Sequence, residues 1–303
     1  MPKEVLKYER RVIAYIDILG FKQIVDDTIM ANGRPSQPRI NWVLEVYKIF
    51  NITVKGKFSG DVVNDYKPQS MVVTYFSDTI VISVKYNDKH DASRLIHFVK
   101  MMQATLADRG IFCRGAITVG KIIHTKSIIF GPGLIDAYTR EKNDAIFPRI
   151  IIDQKLAKRL IDDCVVWVLG IHGAFFFKVP KEVVKEDEDG QYYIDYFVLY
   201  TPECREFTSS EQMFHLLNSV RLATVNEIAI SHLKDDKHIM KKYQWMRRKY
   251  NEALKLYKEE YLEFLEMVPG VSYEYCLKIK RLKTIDELEI NKAVKYWIKY
   301  WKS

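Results

Sequence analysis

Along the first half of the chain, the hydrophobic pattern switches repeatedly between a strand period and a helix period. Residues 12–18 form an apolar, β-branched run broken only at its end, which predicts a buried strand, and Gly20 permits a tight turn after it. Residues 40–50 repeat apolar side chains at helical spacing and predict a core-facing helix. Residues 51–70 are polar and contain glycine, as expected of a loop or hairpin excursion. Residues 71–76 and 79–84 flank Ser77-Asp78, predicting a β-hairpin with the aspartate at its tip. A second amphipathic helix is predicted over 92–106, offering Leu95, Ile96, Phe98, Val99, Met102 and Leu106 for burial, and a further strand over 113–120. Gly131-Pro132-Gly133 then opens a helix that continues through Glu141. A short strand at 149–153 and a helix at 154–161 follow, and strand-like runs in 164–200 surround an acidic turn, 186–190, for which a solvated position is expected.

From Ser209 onward almost everything reads as helix. Residues 234–266 are long, basic and aromatic, with Tyr243, Trp245, Tyr250, Tyr257 and Tyr261. This change places a boundary near residue 205, between an α+β domain over 1–205 and a helical extension over 206–303.

Composition narrows the classes. A chain of 303 residues, 48% hydrophobic and 28% charged, has enough apolar surface for a full core, which excludes wholesale disorder. Its net charge of +8 suits an anionic partner such as a nucleotide, a nucleic acid or a membrane surface, and equally suits a basic solvated face. The four cysteines lack CxxC spacing, which argues against a zinc ribbon or a disulfide scaffold and fits a reducing cytoplasm. None of the seven histidines forms a ligand-spaced pair. The first residues are too charged for a signal peptide, and no stretch approaches the ~18 uncharged apolar residues of a membrane span, so a soluble protein is expected.

The candidate chemistry lies in two carboxylates. Asp17 ends the first apolar run and Asp78 sits at the hairpin tip. A lone aspartate at a strand end is usually a turn residue or an ion-pair partner. Two of them in a cleft repel, and divalent cations bridging to phosphate oxygens relieve that repulsion. Gly20 and Phe21 follow the first, so the backbone N–H groups of residues 18–22 are candidates to face a phosphate, with Lys22 either beside it or in solvent.

In order along the chain, Asp17-Ile-Leu-Gly-Phe21, Phe76-Ser-Asp78, Arg114-Gly-Ala-Ile-Thr-Val-Gly120 and Gly131-Pro-Gly-Leu-Ile-Asp-Ala-Tyr138 resemble the motifs of class III nucleotidyl cyclases over roughly residues 10–153. The resemblance implies a ferredoxin-like palm. It also implies that Asp17 and Asp78, with the backbone carbonyl of Ile18, hold two Mn²⁺ or Mg²⁺ ions for cyclisation of a nucleoside triphosphate. Class III sites form between two catalytic domains, so one such domain per chain implies a homodimer.

The departures from that pattern are specific. Thr74 stands where adenylate cyclases carry a purine-reading Lys, and Ile128 near the second purine-reading position. Ile135 and Thr139 stand where the family has its transition-state Asn and Arg. Asp136-Ala-Tyr138, Glu141, Ala145, Pro148-Arg149, 189–197 and 242–251 resemble the pyrimidine cyclases of bacterial Pycsar antiphage systems. That implies UTP or CTP as substrate and a separate effector protein for the cyclic product. Tyr138 is a candidate to stack on or bond a base, or else a core residue. Arg149 and Arg114 are candidates for the missing cation near the α-phosphate, with structural ion pairing the equal competitor, particularly beside Glu141. Three alternatives stay open: a purine cyclase with a relocated base pocket, an inactive relative, and a nucleic-acid-binding module built on Tyr243, Trp245 and Arg247.

Overall fold

Val12, Ala14 and Ile16 point to one face of the first strand while Arg11, Ile13 and Tyr15 point to the other, and apolar side chains occur on both sides because the strand is central in its sheet. The computed structural model describes residues 6–55, 70–162, 183–198, 210–262 and 272–302. They divide between two units, one within 1–106 and 112–195, the other within 107–111 and 196–303.

In the first unit β1 (Glu9–Ile18) is followed by the short α1 (Phe21–Asp26) and by α2 (Gln37–Lys55). β2 (Val72–Phe76) and β3 (Thr79–Lys85) form the hairpin, then come α3 (Lys89–Ala107) and β4 (Cys113–His124). β5 (Ile129–Phe130), α4 (Pro132–Asp144), β6 (Ile150–Ile152), α5 (Gln154–Asp162), β7 (Val184–Glu186) and β8 (Tyr192–Ile194) complete it. Residues 51–55 continue α2 instead of opening a loop, and 56–69 lie outside the described residues, as do parts of the 164–200 segment.

The sheet order is β2-β3-β1-β4-β6-β8-β7, with β5 paired to β4. Its first four strands are antiparallel throughout and are joined as β-α-β-β-α-β, which is the ferredoxin-like arrangement. The α+β expectation therefore holds. On one face Phe50 of α2 packs against Tyr75 of β2, while Val12, Ile16, Ile80 and Ile82 are fully buried. On the other face α4 packs Ala137 against Ile13, Val81 and Ile122.

Two glycines set how closely α4 approaches. A Cβ on Gly120 would lie 2.5 Å from the Gly133 Cα, so the helix crosses β4 backbone to backbone. Thr118 Oγ1 donates to Asp136 at 2.6 Å, and Arg140 bridges Asp136 at 3.1 Å and Asp153 at 3.3 Å, fastening the same helix to β4 and to the residue after β6. Gly120→Ala is therefore expected to destabilise the protein by about 1–3 kcal/mol, read as a lower denaturation midpoint at unchanged m-value. An unchanged midpoint would mean that the helix can move off the sheet without loss.

The acidic turn is not solvated throughout, as the sequence suggested. Asp187 is buried and pairs with Arg149, which is fully buried, and Asp189 pairs with the same guanidinium. Cys113 and Cys276 are buried thiols, and burial pushes that of Cys113 up to about 12.

The second unit is helical. α6 (Ser210–Leu233) buries Met213, Leu217, Val220, Thr224 and Ile228 at three- and four-residue spacing, and α7 (Lys237–Leu256) packs along it. Helices Tyr273–Arg281 and Glu287–Lys302 also contact α6. Trp245, Tyr250 and Tyr257 are buried, and Arg247 is held by Glu287 at 2.5 Å and by the Ile285 carbonyl at 2.8 Å. The nucleic-acid reading thus loses Trp245 as an exposed stacking platform. Among the described residues no helix is long and apolar enough to cross a membrane.

Candidate functional site

Asp17 and Asp78 meet at one end of the sheet because the hairpin tip is tied to the end of β1. The register places Asp17 between Thr79 of β3 and Arg114 of β4. Ser77 takes a left-handed conformation (φ 52°) to close the two-residue turn, and the Ile18 N–H donates to the Asp78 carbonyl at 3.0 Å. Both aspartates keep partial access to solvent.

Arg114 Nε aims its proton at Asp17 Oδ2, at 3.4 Å, and lies 2.8 Å from Glu141 Oε1. Glu141 is the group that the sequence offered as an ion-pair partner for Arg149 or Arg114. It belongs to the inward stripe Gly133, Ala137, Glu141 of α4, one residue per turn, and is nearly buried. Burial raises the Glu141 pKa, and the charges of Asp17 and Asp78 raise it further, against the lowering effect of Arg114. Its Oε1 has no hydrogen-bond donor among the described residues. The four-residue spacing from Ala137 was the available signal, but only the seating of α4 on Gly120 says which strand the stripe meets.

Tyr15 lines the same face two residues before Asp17, and burial raises its pKa, with Glu141 and Asp17 adding to the effect. Tyr138 stands edge-on to Tyr15 with centroids 5.6 Å apart and is exposed, not core. Ile135, one turn earlier, is 65% exposed, and Ile128 and Thr139 are exposed as well.

Other expected contributors sit differently. Phe21 is buried against Tyr47 at 6.5 Å between centroids, so its ring is core and does not face a ligand. Gly20 is exposed at φ 72°, and Lys22 is exposed. Of the backbone N–H groups of residues 18–22, those of Ile18 and Leu19 are already bonded, the second to the Phe112 carbonyl at 2.9 Å. The phosphate cradle expected there is narrower than the sequence implied. Arg149 aims its guanidinium at Asp187 and Asp189, within the cluster described above, which is the structural pairing weighed against a catalytic role.

Thr74 shares the Asp17 face, since it is opposite Val81, and Val81 is opposite Tyr15. Its hydroxyl lies 3.0 Å from His124 Nε2. Burial, together with the charge of Arg11, lowers the His124 pKa from 6.5 to about 4, and burial lowers that of His97 to about 3. Both imidazoles are neutral in the fold, so their contribution is complete above pH 6.5 and declines as pH falls from 6.5 toward 4. The unfolding free energy is expected to fall over that interval, and His124→Gln to flatten the slope there. Denaturant titrations at pH 7, 5.5 and 4.5 check it, and an identical slope in the variant would remove His124 from the effect.

The donor set around Asp17 and Asp78 is oxygen only, which suits a hard divalent cation, while Glu141 Oε1 is ion-paired with the Arg114 guanidinium. Among the described residues no group of three or more metal-ligating side chains occurs, so further ligands would have to come from the Ile18 carbonyl, solvent or substrate.

No family model matches the chain, and no curated protein matches it. Among solved structures it is similar to a class III adenylyl cyclase-like ATP-binding protein from Pseudomonas aeruginosa, with 13% identity and a TM-score of 0.36 over 52% of this chain. The match spans 37% of that protein, little more than a third of its length, and a likeness of that extent says nothing about activity.

Proposed function

We propose that the chain is a pyrimidine nucleotide cyclase, converting UTP or CTP to the 3′,5′-cyclic nucleotide and pyrophosphate. One observation carries the reading: Asp17 and Asp78 stand together at the end of a ferredoxin-like sheet, with Arg114 and Glu141 beside them. In the reaction the ribose 3′-oxygen forms a bond to the α-phosphorus while the bond from that phosphorus to the β-phosphate's bridging oxygen breaks. Pyrophosphate leaves, and the 3′-hydroxyl proton passes to a base.

Asp17, Asp78 and the Ile18 carbonyl would hold two Mg²⁺ or Mn²⁺ ions, which would acidify the 3′-hydroxyl and neutralise the triphosphate. Arg114, placed beside Asp17 by strand pairing, is the proposed cation for charge on the α-phosphate once the carboxylate is otherwise engaged. Glu141 Oε1 lies 2.8 Å from the same Nε and helps to hold the guanidinium in place. Tyr138, exposed at the rim, is positioned to meet a base. The same reading includes a homodimer and a separate effector for the cyclic product in antiphage defence.

Incubation with each of the four ribonucleoside triphosphates and Mn²⁺ or Mg²⁺, with chromatographic separation of the products, tests the assignment. A cyclic pyrimidine is expected, and a cyclic purine as the sole product would refute it. Light scattering of the purified protein tests the dimer, with a strictly monomeric active enzyme counting against it. A second reading, a cyclase-like protein that binds nucleotide without turnover, is favoured by one contact, the Arg114 guanidinium already bonded to Asp17. Nucleotide binding with no product under any metal condition would establish it.

A further inference from the structure

Thr74 ends a chain of buried polar groups on the face of the sheet that also carries Ile13, Val81 and Ile122. Arg11, 2% exposed, donates from Nε to Ser83 Oγ at 2.8 Å. Its remaining contacts are with Glu9 at 2.5 Å, the Ser83 carbonyl at 3.1 Å and the Ser70 carbonyl. Ser83 Oγ, fully buried, lies 2.7 Å from His124 Nδ1, and His124 Nε2 lies 3.0 Å from Thr74 Oγ1.

Counting protons gives this chain a direction. Arg11 has only protons to offer, so Ser83 Oγ accepts from it. The Ser83 proton then needs an acceptor, and among the described residues His124 Nδ1 is the one within reach. A buried hydroxyl proton without an acceptor costs about 1–3 kcal/mol, which disfavours the opposite tautomer. His124 Nδ1 is therefore unprotonated, Nε2 carries the hydrogen, and Nε2 donates to Thr74. The Thr74 proton is left pointing away from the chain. In the opposite tautomer Thr74 would donate its proton to Nε2 and offer a ligand only its lone pairs.

Thr74 is two strands and two residue positions from Asp17, about 12 Å at ordinary strand spacing, within reach of the sugar and base of a nucleotide whose phosphates lie at Asp17. We infer that Arg11, Ser83 and His124 act as positioning residues that fix Thr74 as a hydrogen-bond donor to a ring carbonyl of the base, favouring the 4-oxo group of uracil over the 4-amino group of cytosine. The inference rests on the pyrimidine cyclase reading and selects UTP within it.

Two measurements test it separately from that reading. Long-range ¹H–¹⁵N spectra of the imidazoles report the His124 tautomer without any nucleotide. A neutral Nε2–H form is expected, and an Nδ1–H form overturns the relay. Calorimetric titration with UTP and with CTP, each with Mg²⁺, is expected to show roughly tenfold tighter binding of UTP, the scale of one well-made hydrogen bond. Thr74→Val should reduce the ratio to about twofold or less, mainly by weakening UTP.

His124→Gln keeps an N–H donor near the Nε2 position and should retain the ratio, whereas His124→Asn cannot reach Thr74 and should lose it. A merely structural role for His124 would move both variants together. Equal binding of UTP and CTP by the unaltered protein, or a ratio untouched by Thr74→Val, overturns the base assignment and leaves the cyclase reading standing. Absence of any pyrimidine nucleotide binding, with the Nε2–H tautomer confirmed, overturns both.

Discussion

An Asp78→Asn protein is expected to fold as the unaltered chain does and to lose turnover by about a thousandfold or more, equivalent to ~4 kcal/mol of transition-state stabilisation. The two halves of that expectation come from different atoms. The contact that pins the hairpin to β1 uses the Asp78 carbonyl, which asparagine retains. The carboxylate is the part offered to a cation, and its negative charge is what the substitution removes. Thermal unfolding and Mn²⁺ binding, measured on the same preparation as turnover, separate the two. Unchanged turnover with weakened Mn²⁺ binding would remove Asp78 from the chemistry while leaving it a cation ligand. Asp17→Asn carries a further consequence, because among the described residues Arg114 would then keep Glu141 as its anionic partner.

The second large effect is structural. Arg149→Met should destabilise the protein by about 3–5 kcal/mol, because it leaves the buried Asp187 without the guanidinium that compensates its charge. Asp189, 36% exposed at its side chain, recovers hydration and contributes less. A buried carboxylate that has lost its guanidinium binds a proton more readily than before, so the loss should ease as pH falls into the carboxylate range. Combining Arg149→Met with Asp187→Asn should recover part of the stability at neutral pH. Denaturation midpoints of the three proteins at pH 7 and pH 5 give the answer. A variant with full stability and lost turnover would return Arg149 to the phosphate, as the sequence alone had allowed.

Where local pattern decides conformation, the sequence was legible. The apolar run ending at Asp17 and the paired runs around Ser77-Asp78 are strands because few other arrangements bury so many β-branched side chains. Gly131-Pro132-Gly133 opens α4 because proline suits the first turn. The early strands, helices and hairpin tip follow from these local constraints, and so does the placement of two carboxylates at strand ends.

Partners distant in sequence were not legible. Arg149 meets Asp187 across 38 residues, Ser83 meets His124 across 41, and Arg114 meets Asp17 across 97. Phe21, beside the candidate phosphate loop in sequence, turns inward onto Tyr47, and Tyr138, at helical spacing, turns outward. Each outcome depends on which face of an element meets the sheet.

By itself the sequence determined the order of strands and helices, the change to helices from about residue 210 onward, and the two aspartates with the residue types around them, because these are set by neighbouring side chains and backbone preference. Tertiary structure alone decided that Glu141 joins Arg114, that Arg149 is held by Asp187 and Asp189, and that Thr74 meets His124. Those choices depend on sheet register and on the close crossing of Gly120 and Gly133, where a shift of one residue would turn each side chain to the opposite face.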